Sequence, residues 1–461
     1  MKKVQDTYGE IQIPNHVLWG KNTARSLKNF AIGTERMPGP FIRALLEVKR
    51  ACAEANMKSG KLDKDQAMAI VLCIDDLLDT TVSENFPLSV WQTGSGTQTN
   101  MNANEVIAGL AEKNLHRTLH PNDEVNMSQS TNDVFPAAIH IMSITMIKGN
   151  LLPALDRLIQ GMEDLKGKYG RVIKTGRTHL MDAVPMTFGQ EVGAWISSLR
   201  ACQQELEEAL QRIYFLGLGG TAVGTGINTC PGFGKDVVDQ LNKRLHENYQ
   251  LEEDRFHFIS SRDGLLRLHG ALSDLASDLL KIGNDIRWEA SGPRTGLGEL
   301  CLPANEAGSS IMPGKVNPTQ IEAMAMVAVR VMGNHTSLTI ANSQGNFQLN
   351  TYLPLFAQLI WQSIRLLSDA MDSFYDKCLK GIVVCTKKME ENLEKSLMTA
   401  TFLTPYLGYD QTSKLVKKAE KEEKTIRQVV LEEGAMSEEE FDRIFDPQEM
   451  IYPKTQENTG N

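Results

Sequence analysis

Apolar residues recur with helical spacing through the middle of the 461-residue chain. From Leu265 to Ile286 they alternate three and four positions apart, which predicts a helix packed along others in a bundle. The same spacing predicts three more long helices, near residues 151–165, 195–213 and 353–374. We therefore predict a mainly α protein with a long central helical bundle that several chains build together as an oligomer core.

The segments on either side of this bundle have different patterns. The first predicted domain, residues 1–132, is mixed but mostly helical, with a short strand at residues 11–13 and helices near 41–57 and 63–79. The central bundle is predicted to occupy residues 133–395, and a small helical domain residues 396–461. The charged run at residues 414–424 is typical of a solvated helix face.

Composition narrows the classes of function. The chain is 41% hydrophobic and 23% charged, with 48 Lys+Arg against 57 Asp+Glu and a net charge of −9, which argues against a nucleic-acid partner. It contains no uninterrupted run of about 18 apolar residues, the length that a membrane span needs, and the first residues do not resemble a signal peptide. We expect a cytoplasmic protein.

The cysteine pattern also favours a cytoplasmic protein, and the usual zinc-binding motifs and the P-loop are absent from the sequence. The seven cysteines are dispersed without a C-x-x-C pair, which is typical of reduced thiols in a cytoplasm-like compartment. The sequence has no zinc-ligand spacing, no H-E-x-x-H and no P-loop.

Four polar segments interrupt the helical pattern, at residues 91–102, 120–133, 176–182 and 308–318. They could be turns and helix caps, because Ser, Thr, Asn, Asp and Gly are the usual turn formers. Four clusters of hydroxyl, amide and backbone N–H donors also suit a small dicarboxylate. A fifth segment, residues 217–222, fits G-x-G-x-x-A, but it is predicted to follow a helix, with no βαβ unit, and to be a tight helix–helix connection.

The segment Gly308-Ser309-Ser310-Ile311-Met312-Pro313, followed by Lys315 and Asn317, resembles the signature of the fumarase/aspartase superfamily of lyases. Together with the other polar segments, it closely resembles the class II fumarases within that superfamily. The other polar segments extend this resemblance over nearly the whole chain. It implies the fumarase/aspartase-like three-domain fold and a homotetramer with active sites shared between subunits. The implied reaction is the reversible anti hydration of fumarate to (S)-malate through an aci-carboxylate, without metal or cofactor.

The resemblance also implies roles for individual residues. Ser309 matches the base that removes the C3 proton of malate, and His179 the acid/base partner oriented by a carboxylate that matches Glu322. Further positions match substrate-binding residues, namely Ser95, Gly96, Thr97, Ser130, Thr131, Asn132, Thr178, Ser310, Lys315, Val316 and Asn317. A second, non-catalytic dicarboxylate site of the family is matched by Arg117, His120, Pro121, Asn122 and Asp123.

Chemistry explains why such residues are required. Loss of a proton next to a carboxylate leaves a dianionic aci-carboxylate, and fixed donors such as Lys315 and Asn317 can stabilise its extra charge. Serine is a poor base in water, so Ser309 would have to act as an alkoxide stabilised by backbone N–H groups and the Lys315 charge.

Two other functions stay open at this point. Aspartate ammonia-lyases share the base and the carboxylate ligands, and Thr131 follows their usual pattern. Against that alternative, Thr93, Ser95 and Gln98 are typical of fumarases. A non-catalytic structural protein derived from the superfamily is disfavoured because the residues expected to act in catalysis are all present.

Overall fold

The structure, a computed structural model, describes residues 1–79, 84–446 and 450–451, and most regular structure in these ranges is helical. The helices are α1 (Lys21–Asn29), α2 (Gly39–Lys58), α3 (Lys64–Asp79), α4 (Thr97–Leu115), α5 (Thr131–Met146), α6 (Leu152–Tyr169), α7 (Phe188–Ile213), α8 (Phe233–Leu245), α9 (Arg255–Ser260), α10 (Asp263–Glu289), α11 (Thr319–Ser343), α12 (Leu353–Lys377), α13 (Thr386–Lys395), α14 (Thr404–Leu407), α15 (Tyr409–Glu422), α16 (Ile426–Glu432) and α17 (Glu438–Ile444).

The strands are short and pair two by two. They are β1 (Lys2–Asp6), β2 (Gly9–Ile13), β3 (Ile173–Thr178), β4 (Met181–Thr187), β5 (Phe215–Leu216), β6 (Gln250–Leu251), β7 (Leu300–Cys301) and β8 (Val383–Val384). The pairs β1–β2, β3–β4 and β7–β8 are antiparallel, and β5–β6 is parallel. The mainly α fold class predicted from the sequence is confirmed.

Helical periodicity predicted the long helices correctly. The apolar stripe from Leu265 to Ile286 lies in α10, and all seven of its members are buried. Burial of one such side chain contributes about 1.5–3 kcal/mol, so the stripe accounts for much of the stability of this helix. The predicted helices near 41–57, 63–79, 151–165, 195–213 and 353–374 are confirmed as α2, α3, α6, α7 and α12. The predicted strand lies in β2, and the charged run largely in α15.

Within the described parts of the chain, one helical run is long and apolar enough to cross a membrane by its length and composition. It extends from Thr131 to Tyr169 through α5, a π-helical turn (Ile147–Leu151) and α6. Its most apolar window is 67% buried inside the protein, as expected of a core helix.

The chain forms two compact units, each built from separate stretches. The first contains Met1–Pro153, Cys202–Ser277 and Val327–Asp369, and the second contains Ala154–Ala201, Asp278–Met326 and the chain from Ala370 onward. The helices α7, α10, α11 and α12 each contribute residues to both units. The division into consecutive domains at residues 1–132, 133–395 and 396–461 stays a prediction.

Each unit has its own core. In the first unit, α2 packs against α3, α5 and α8. In the second unit, helices α15 to α17 enclose a small C-terminal core around Leu403, Val429 and Phe441, which are each 1% exposed or less. Two of these helices begin with capping boxes, in which Thr425 and Ser437 satisfy backbone N–H groups of the first turn.

The prediction for the glycine-rich segment at residues 217–222 was wrong in three respects. The segment follows strand β5 rather than a helix, and β5, α8 and β6 form a minimal βαβ unit. The connection between α7 and α8 is also longer than a tight turn. The N–H groups of Gly219 and Thr221 donate to Asp133 Oδ2 at 3.1 and 2.9 Å, so these donors serve the protein's own carboxylate.

Candidate active site

The signature segment forms a closed loop of residues 308–317, which we call the serine loop, between β7 and α11. The Gly308 N–H donates to the carbonyl of Lys315 at 3.1 Å, and Asn317 Nδ2 donates to the carbonyl of Gly308 at 2.6 Å. A Cβ atom on Gly308 would overlap the Lys315 carbonyl oxygen, so glycine is required where the loop closes. The ends of the serine loop are thus held by one backbone–backbone hydrogen bond and one from the Asn317 side chain.

Ser309 occupies a donor-rich position inside this loop. Its Oγ accepts hydrogen bonds from the backbone N–H groups of Ile311 and Met312, at 3.2 and 3.1 Å. Two amide dipoles directed at one serine oxygen would stabilise a negative charge on it, and they do so without reorganisation because the loop already holds them. The Ser309 side chain is half-buried, whereas Ser310 and Val316 are exposed.

The expected carboxylate ligands of the serine loop differ in their surroundings. Asn317 uses one amide hydrogen to close the loop, which fixes its orientation. Lys315 is exposed and makes no hydrogen bond or ion pair from its side chain within the part of the chain that the structure describes.

Glu322 lies in the first turn of α11, directly after the serine loop, and its side chain is exposed. The carbonyl of Pro318 accepts from the N–H groups of Ile321 and Glu322, both at 3.0 Å, so the helix begins immediately where the loop ends. A carboxylate in the first turn also interacts favourably with the helix dipole.

His179 lies at the tip of the β3–β4 hairpin, which we call the histidine hairpin. Thr178 pairs with Met181, so His179 and Leu180 form a two-residue turn with positive φ angles of 57° and 62°. Two consecutive residues in this region are the signature of a type I′ turn, normally built from Asn and Gly. Strained backbone of this kind concentrates at functional sites. Thr178 and His179 are both exposed at the tip.

The base of the histidine hairpin rests on a set of charged residues that sequence reasoning missed. We call Lys174, Arg177, Glu191, Glu289 and Glu299 the buried ion cluster. Lys174 Nζ contacts Glu191 at 2.6 Å and Glu299 at 3.4 Å, and it also pairs with Glu289. Arg177 forms a bidentate pair with Glu299, at 2.5 and 3.1 Å. The side chains of Lys174 and Glu299 are 1% and 0% exposed.

The cluster shifts the protonation of its members in opposite directions. Burial and the charge of Glu191 raise the pKa of Glu289 well above its ordinary value. Burial alone would also raise the pKa of Glu299, but the hydrogen bond from Arg177 and the charge of Lys174 outweigh it and lower that pKa. The cluster joins residues more than 100 positions apart, such as Lys174 and Glu289, so no local motif could have revealed it.

In the first unit, Ser95, Gly96 and Thr97 form the start of α4. Gly96 has φ +76°, and a Cβ atom there would overlap the ring of Phe135 in α5. The hydroxyl groups of Ser95 and Thr97 are 2.8 Å apart. Hydroxyl groups at a helix N-terminus are suited to binding an anion. The free backbone N–H groups there point out of the helix, and the positive end of the helix dipole also favours a negative charge.

Ser130, Thr131 and Asn132 form the start of α5, so the Gly96–Phe135 contact places two helix N-termini close together within this unit. Ser130 forms a capping box with Asp133, and Asn132 Nδ2 donates to the Ala222 carbonyl at 2.8 Å. Burial raises the pKa of Asp133 to about 6, against the opposing effect of its backbone N–H donors. Thr131 is buried, whereas Ser130 and Asn132 are half-buried.

Beneath this segment lies Lys49, a second charged group that the sequence reading did not identify. Its side chain is fully buried, and its Nζ donates to Gln129 Oε1 at 3.2 Å and Asn126 Oδ1 at 3.4 Å. Burial lowers the pKa of Lys49 to about 7. Because α2 also carries Arg43, Glu47 and Arg50, the sequence does not mark Lys49 as the charged residue that is fully buried.

The residues expected to form a second dicarboxylate site lie around a single π-helical turn (Pro121–Val125), also in the first unit. His120 Nδ1 accepts from the Asp123 N–H at 3.1 Å and lies 3.0 Å from the Asp123 carboxylate, while Asn122 is exposed. Arg117 faces a different partner, Asp65, at 3.7 Å. The turn therefore brings His120, Pro121, Asn122 and Asp123 together, and Arg117 pairs elsewhere.

The expected site residues are thus divided between the two units. Ser95–Thr97, Ser130–Asn132 and the π-helical turn belong to the first unit, and Thr178, His179, the serine loop and Glu322 belong to the second. Across the residues that the structure describes, no hydrogen bond or ion pair joins His179 to Glu322. The pairing of that histidine with that carboxylate stays a prediction.

Comparisons with known proteins give the family relationships of the chain. A lyase family model matches residues 9–333, and a model of the fumarase C C-terminus matches residues 400–452. The class II fumarate hydratase of Bacillus subtilis (strain 168) is 46% identical over 455 residues, covering 98% of each chain. That of Thermosynechococcus vestitus is 48% identical over 444 residues, covering 95% of each. The crystal structure of a class II fumarase from Schistosoma mansoni superposes with a TM-score of 0.94 at 39% identity, covering 98% of this chain and 100% of that one.

Proposed function

This chain belongs to the lyase family of class II fumarate hydratases, and we propose that it hydrates fumarate reversibly to (S)-malate with Ser309 as the catalytic base. The observation that carries the proposal is the pair of backbone N–H groups directed at Ser309 Oγ. They supply the stabilisation that a serine needs in order to act as an alkoxide.

In the dehydration direction, Ser309 takes the C3 proton of malate, and the adjacent carboxylate becomes an aci-carboxylate with an additional negative charge. Lys315 and Asn317 are proposed to bind that carboxylate, because a cation and an oriented amide N–H both stabilise the negative charge that develops on it. One well-placed donor of this kind contributes about 10²–10³-fold in rate. Ser310 and Val316 are proposed to complete the contact surface of the serine loop.

His179 is proposed to exchange the proton of the hydroxyl group that leaves as water, with Glu322 as its carboxylate partner. The strained turn supports this role, because it presents the imidazole on an exposed tip above a rigid base. Glu322 is anchored separately, at the start of α11. We propose anti addition, in which the base and the acid act on opposite faces of the substrate.

The helix N-termini of the first unit are proposed to bind substrate carboxylates. Ser95, Gly96 and Thr97 open α4, and Ser130, Thr131 and Asn132 open α5, so each segment offers backbone N–H groups and polar side chains to an anion. Thr178, beside His179, adds a hydroxyl from the histidine hairpin. The turn at residues 120–123, with Arg117, is proposed as a second dicarboxylate site.

We further propose that the protein is a homotetramer with active sites shared between subunits. Support comes from α11, which buries Ile321, Met324 and Leu338 on one side and leaves Met326, Val329 and Ile340 exposed on another, at 69%, 61% and 59%. A helix that is apolar all round normally has partners on both sides. A bundle of α11 helices from several chains would supply them. We place the enzyme in the cytoplasm and in the tricarboxylic acid cycle, where fumarate and malate interconvert.

The test of the proposed function is loss of the ultraviolet absorbance of fumarate in metal-free buffer, with and without ammonia. Hydration predicts loss of absorbance without ammonia. Loss that requires ammonia would identify an aspartate ammonia-lyase instead, and no turnover under either condition would contradict the proposed enzyme. Measuring the mass of the assembly in solution tests the homotetramer separately.

A further inference from the structure

Two cysteines that are 84 positions apart in sequence meet at the β7–β8 pair of the second unit. Cys301 pairs with Val383 in the ladder, and the N–H of Cys385 donates to the Glu299 carbonyl at 2.9 Å, which continues the ladder by one step. Cys301 and Cys385 therefore lie on the same face of the pair. Their Sγ atoms are 3.0 Å apart, close enough for a hydrogen bond between the thiols.

This pair differs from the other cysteines in exposure. Cys301 is exposed and Cys385 is half-buried, whereas Cys52, Cys73, Cys202 and Cys378 are buried. Cys230 is also half-buried, but the structure gives it no second cysteine as a neighbour among the residues it describes. Burial and the hydrogen bond with Cys301 raise the pKa of Cys385 to about 11, so Cys385 remains a thiol at neutral pH. The exposed Cys301 is the sulfur that an oxidant in solution reaches first.

We propose that Cys301 and Cys385 form a reversible disulfide that acts as an oxidation-sensitive site next to the serine loop, with hydrogen peroxide as the oxidant. The thiolate of Cys301 attacks one peroxide oxygen, the O–O bond breaks, and hydroxide leaves and takes up a proton to give water. The resulting Cys301 sulfenic acid is attacked by the Cys385 sulfur, which loses its proton as the S–O bond breaks and a second water leaves. Two thiols are oxidised to one disulfide, and one peroxide is reduced to two waters. A dithiol reverses the step by exchange.

The position of the pair connects it to both segments of the second unit that the proposed function uses. Cys301 ends the strand that leads into the serine loop, eight residues before Ser309. Glu299, in the same stretch of chain, binds Arg177, which lies in the histidine hairpin two residues before His179. A covalent bond between residues 301 and 385 would fix the strand from which the serine loop departs. Forming that bond draws the two sulfur atoms together, which shifts the strand and with it the serine loop that follows.

The expected effect on the proposed activity is a reversible loss of turnover of at least about tenfold, since displacement of a catalytic group by about 1 Å can cost on the order of 100-fold in rate. This consequence rests on the proposed function, but formation of the disulfide does not. The two can be measured separately, because the bond is observed by mass and the activity by fumarate absorbance.

In the experiment, the whole protein is treated with hydrogen peroxide in metal-free buffer. It is then digested under non-reducing conditions, and its peptides are identified by mass spectrometry. We expect a cross-linked 301–385 peptide pair that is 2 Da lighter than the two thiol peptides, loss of two titratable thiols, and recovery of both thiols and turnover with dithiothreitol. Cys385→Ser should abolish the cross-link and the reversible loss of turnover. Cys230→Ser, which changes the other half-buried cysteine, should behave as the unsubstituted protein does.

Three results would overturn the inference. The first is the absence of the cross-link while Cys301 is oxidised singly, and the second is an equal yield of the cross-link from unfolded protein. The third is a complete cross-link with unchanged turnover. If the reduced protein hydrates no fumarate at all, the proposed function fails, and the cross-link still reports whether the disulfide site exists.

Discussion

The serine loop and the histidine hairpin carry the two proposed proton-transfer groups of the second unit, yet different forces hold them in place. The serine loop is largely exposed and is closed by neutral backbone and amide hydrogen bonds around a glycine. The histidine hairpin rests on the buried ion cluster, in which Lys174 and Glu299 are almost completely removed from solvent. Loop geometry therefore depends on backbone shape, whereas hairpin geometry depends on compensating buried charges.

Because of this difference, substitutions in the two regions should affect turnover and the free energy of unfolding to different extents. The serine loop adds little buried surface, so changes in it should reduce turnover while the fold persists. The buried ion cluster lies in the core, so changes in it should reduce the free energy of unfolding as well. Five substitutions with their controls, ordered by expected effect, test the contrast.

The largest effect is expected from Ser309→Ala, which removes the proposed base but leaves the loop backbone intact. Turnover of fumarate should fall by roughly 10²–10⁴-fold, the range that a positioned acid–base group contributes. The melting temperature by circular dichroism should stay unchanged. Ser310→Ala, with the neighbouring hydroxyl removed, should mainly raise KM. Substantial activity in Ser309→Ala would place the base elsewhere.

Lys174→Met tests the other region. Removal of this cation leaves Glu191, Glu289 and Glu299 without their shared partner, and breaking a buried pair in this way costs about 3–5 kcal/mol. The midpoint of chemical unfolding should fall accordingly. The matched control is Lys281→Met, whose lysine is 64% exposed and pairs with Asp285, so its loss should cost about 1 kcal/mol or less. Equal effects of the two substitutions would show that the cluster is not what stabilises the hairpin.

Gly308→Ala tests whether the backbone shape of the serine loop controls turnover without affecting stability. The added methyl group would overlap the Lys315 carbonyl, so the serine loop must open and turnover should fall by about 10–100-fold. Gly149→Ala is the matched control, because a Cβ atom there has nothing within 4 Å. Both variants should melt at about the temperature of the unsubstituted protein. A large loss of stability in Gly308→Ala would contradict the view of the loop as energetically separate.

The smallest effect, and the most specific, concerns pH. The pKa of Glu289 is raised in the folded protein, so its stabilising contribution is complete below its ordinary value of 4.5 and is lost as the pH rises through the folded pKa. Glu289→Gln cannot ionise and should therefore gain stability relative to the unsubstituted protein as the pH rises above 4.5, and the gain should be complete above the folded pKa.

Glu299→Gln provides the opposite sign. The pKa of Glu299 is lowered, so its contribution is present above the ordinary value of 4.5 and is lost as the pH falls through the folded pKa. This variant should be destabilised most near neutral pH and least in acid. Unfolding midpoints measured across the same pH range compare the two variants. If the unfolding midpoints of both variants changed with pH in the same direction, the pKa values of the two carboxyl groups would not be shifted in opposite directions.

Part of this architecture could be predicted because the signal is local. The 3-4 spacing of Leu265, Leu268 and Leu272 needs only the helical period to place all three on one buried face. Likewise, the signature at residues 308–317 already contains its serine, its glycines and the asparagine that closes the loop. The glycine segment at residues 217–222 shows the limit of such reasoning. There the two-residue strand β5 is too short to leave a recognisable pattern.

The sequence by itself determined the long helices, the polar segments between them and the residue types available for chemistry, because these depend on positions a few residues apart. Only the tertiary structure decided that Lys174, in the hairpin that carries His179, contacts Glu289 and Glu299. It likewise decided that two of the dispersed cysteines, Cys301 and Cys385, lie with their Sγ atoms 3.0 Å apart. Those contacts join positions 84 to 125 residues apart. Chain folding sets such distances through packing and strand pairing, and no spacing along the sequence encodes them directly.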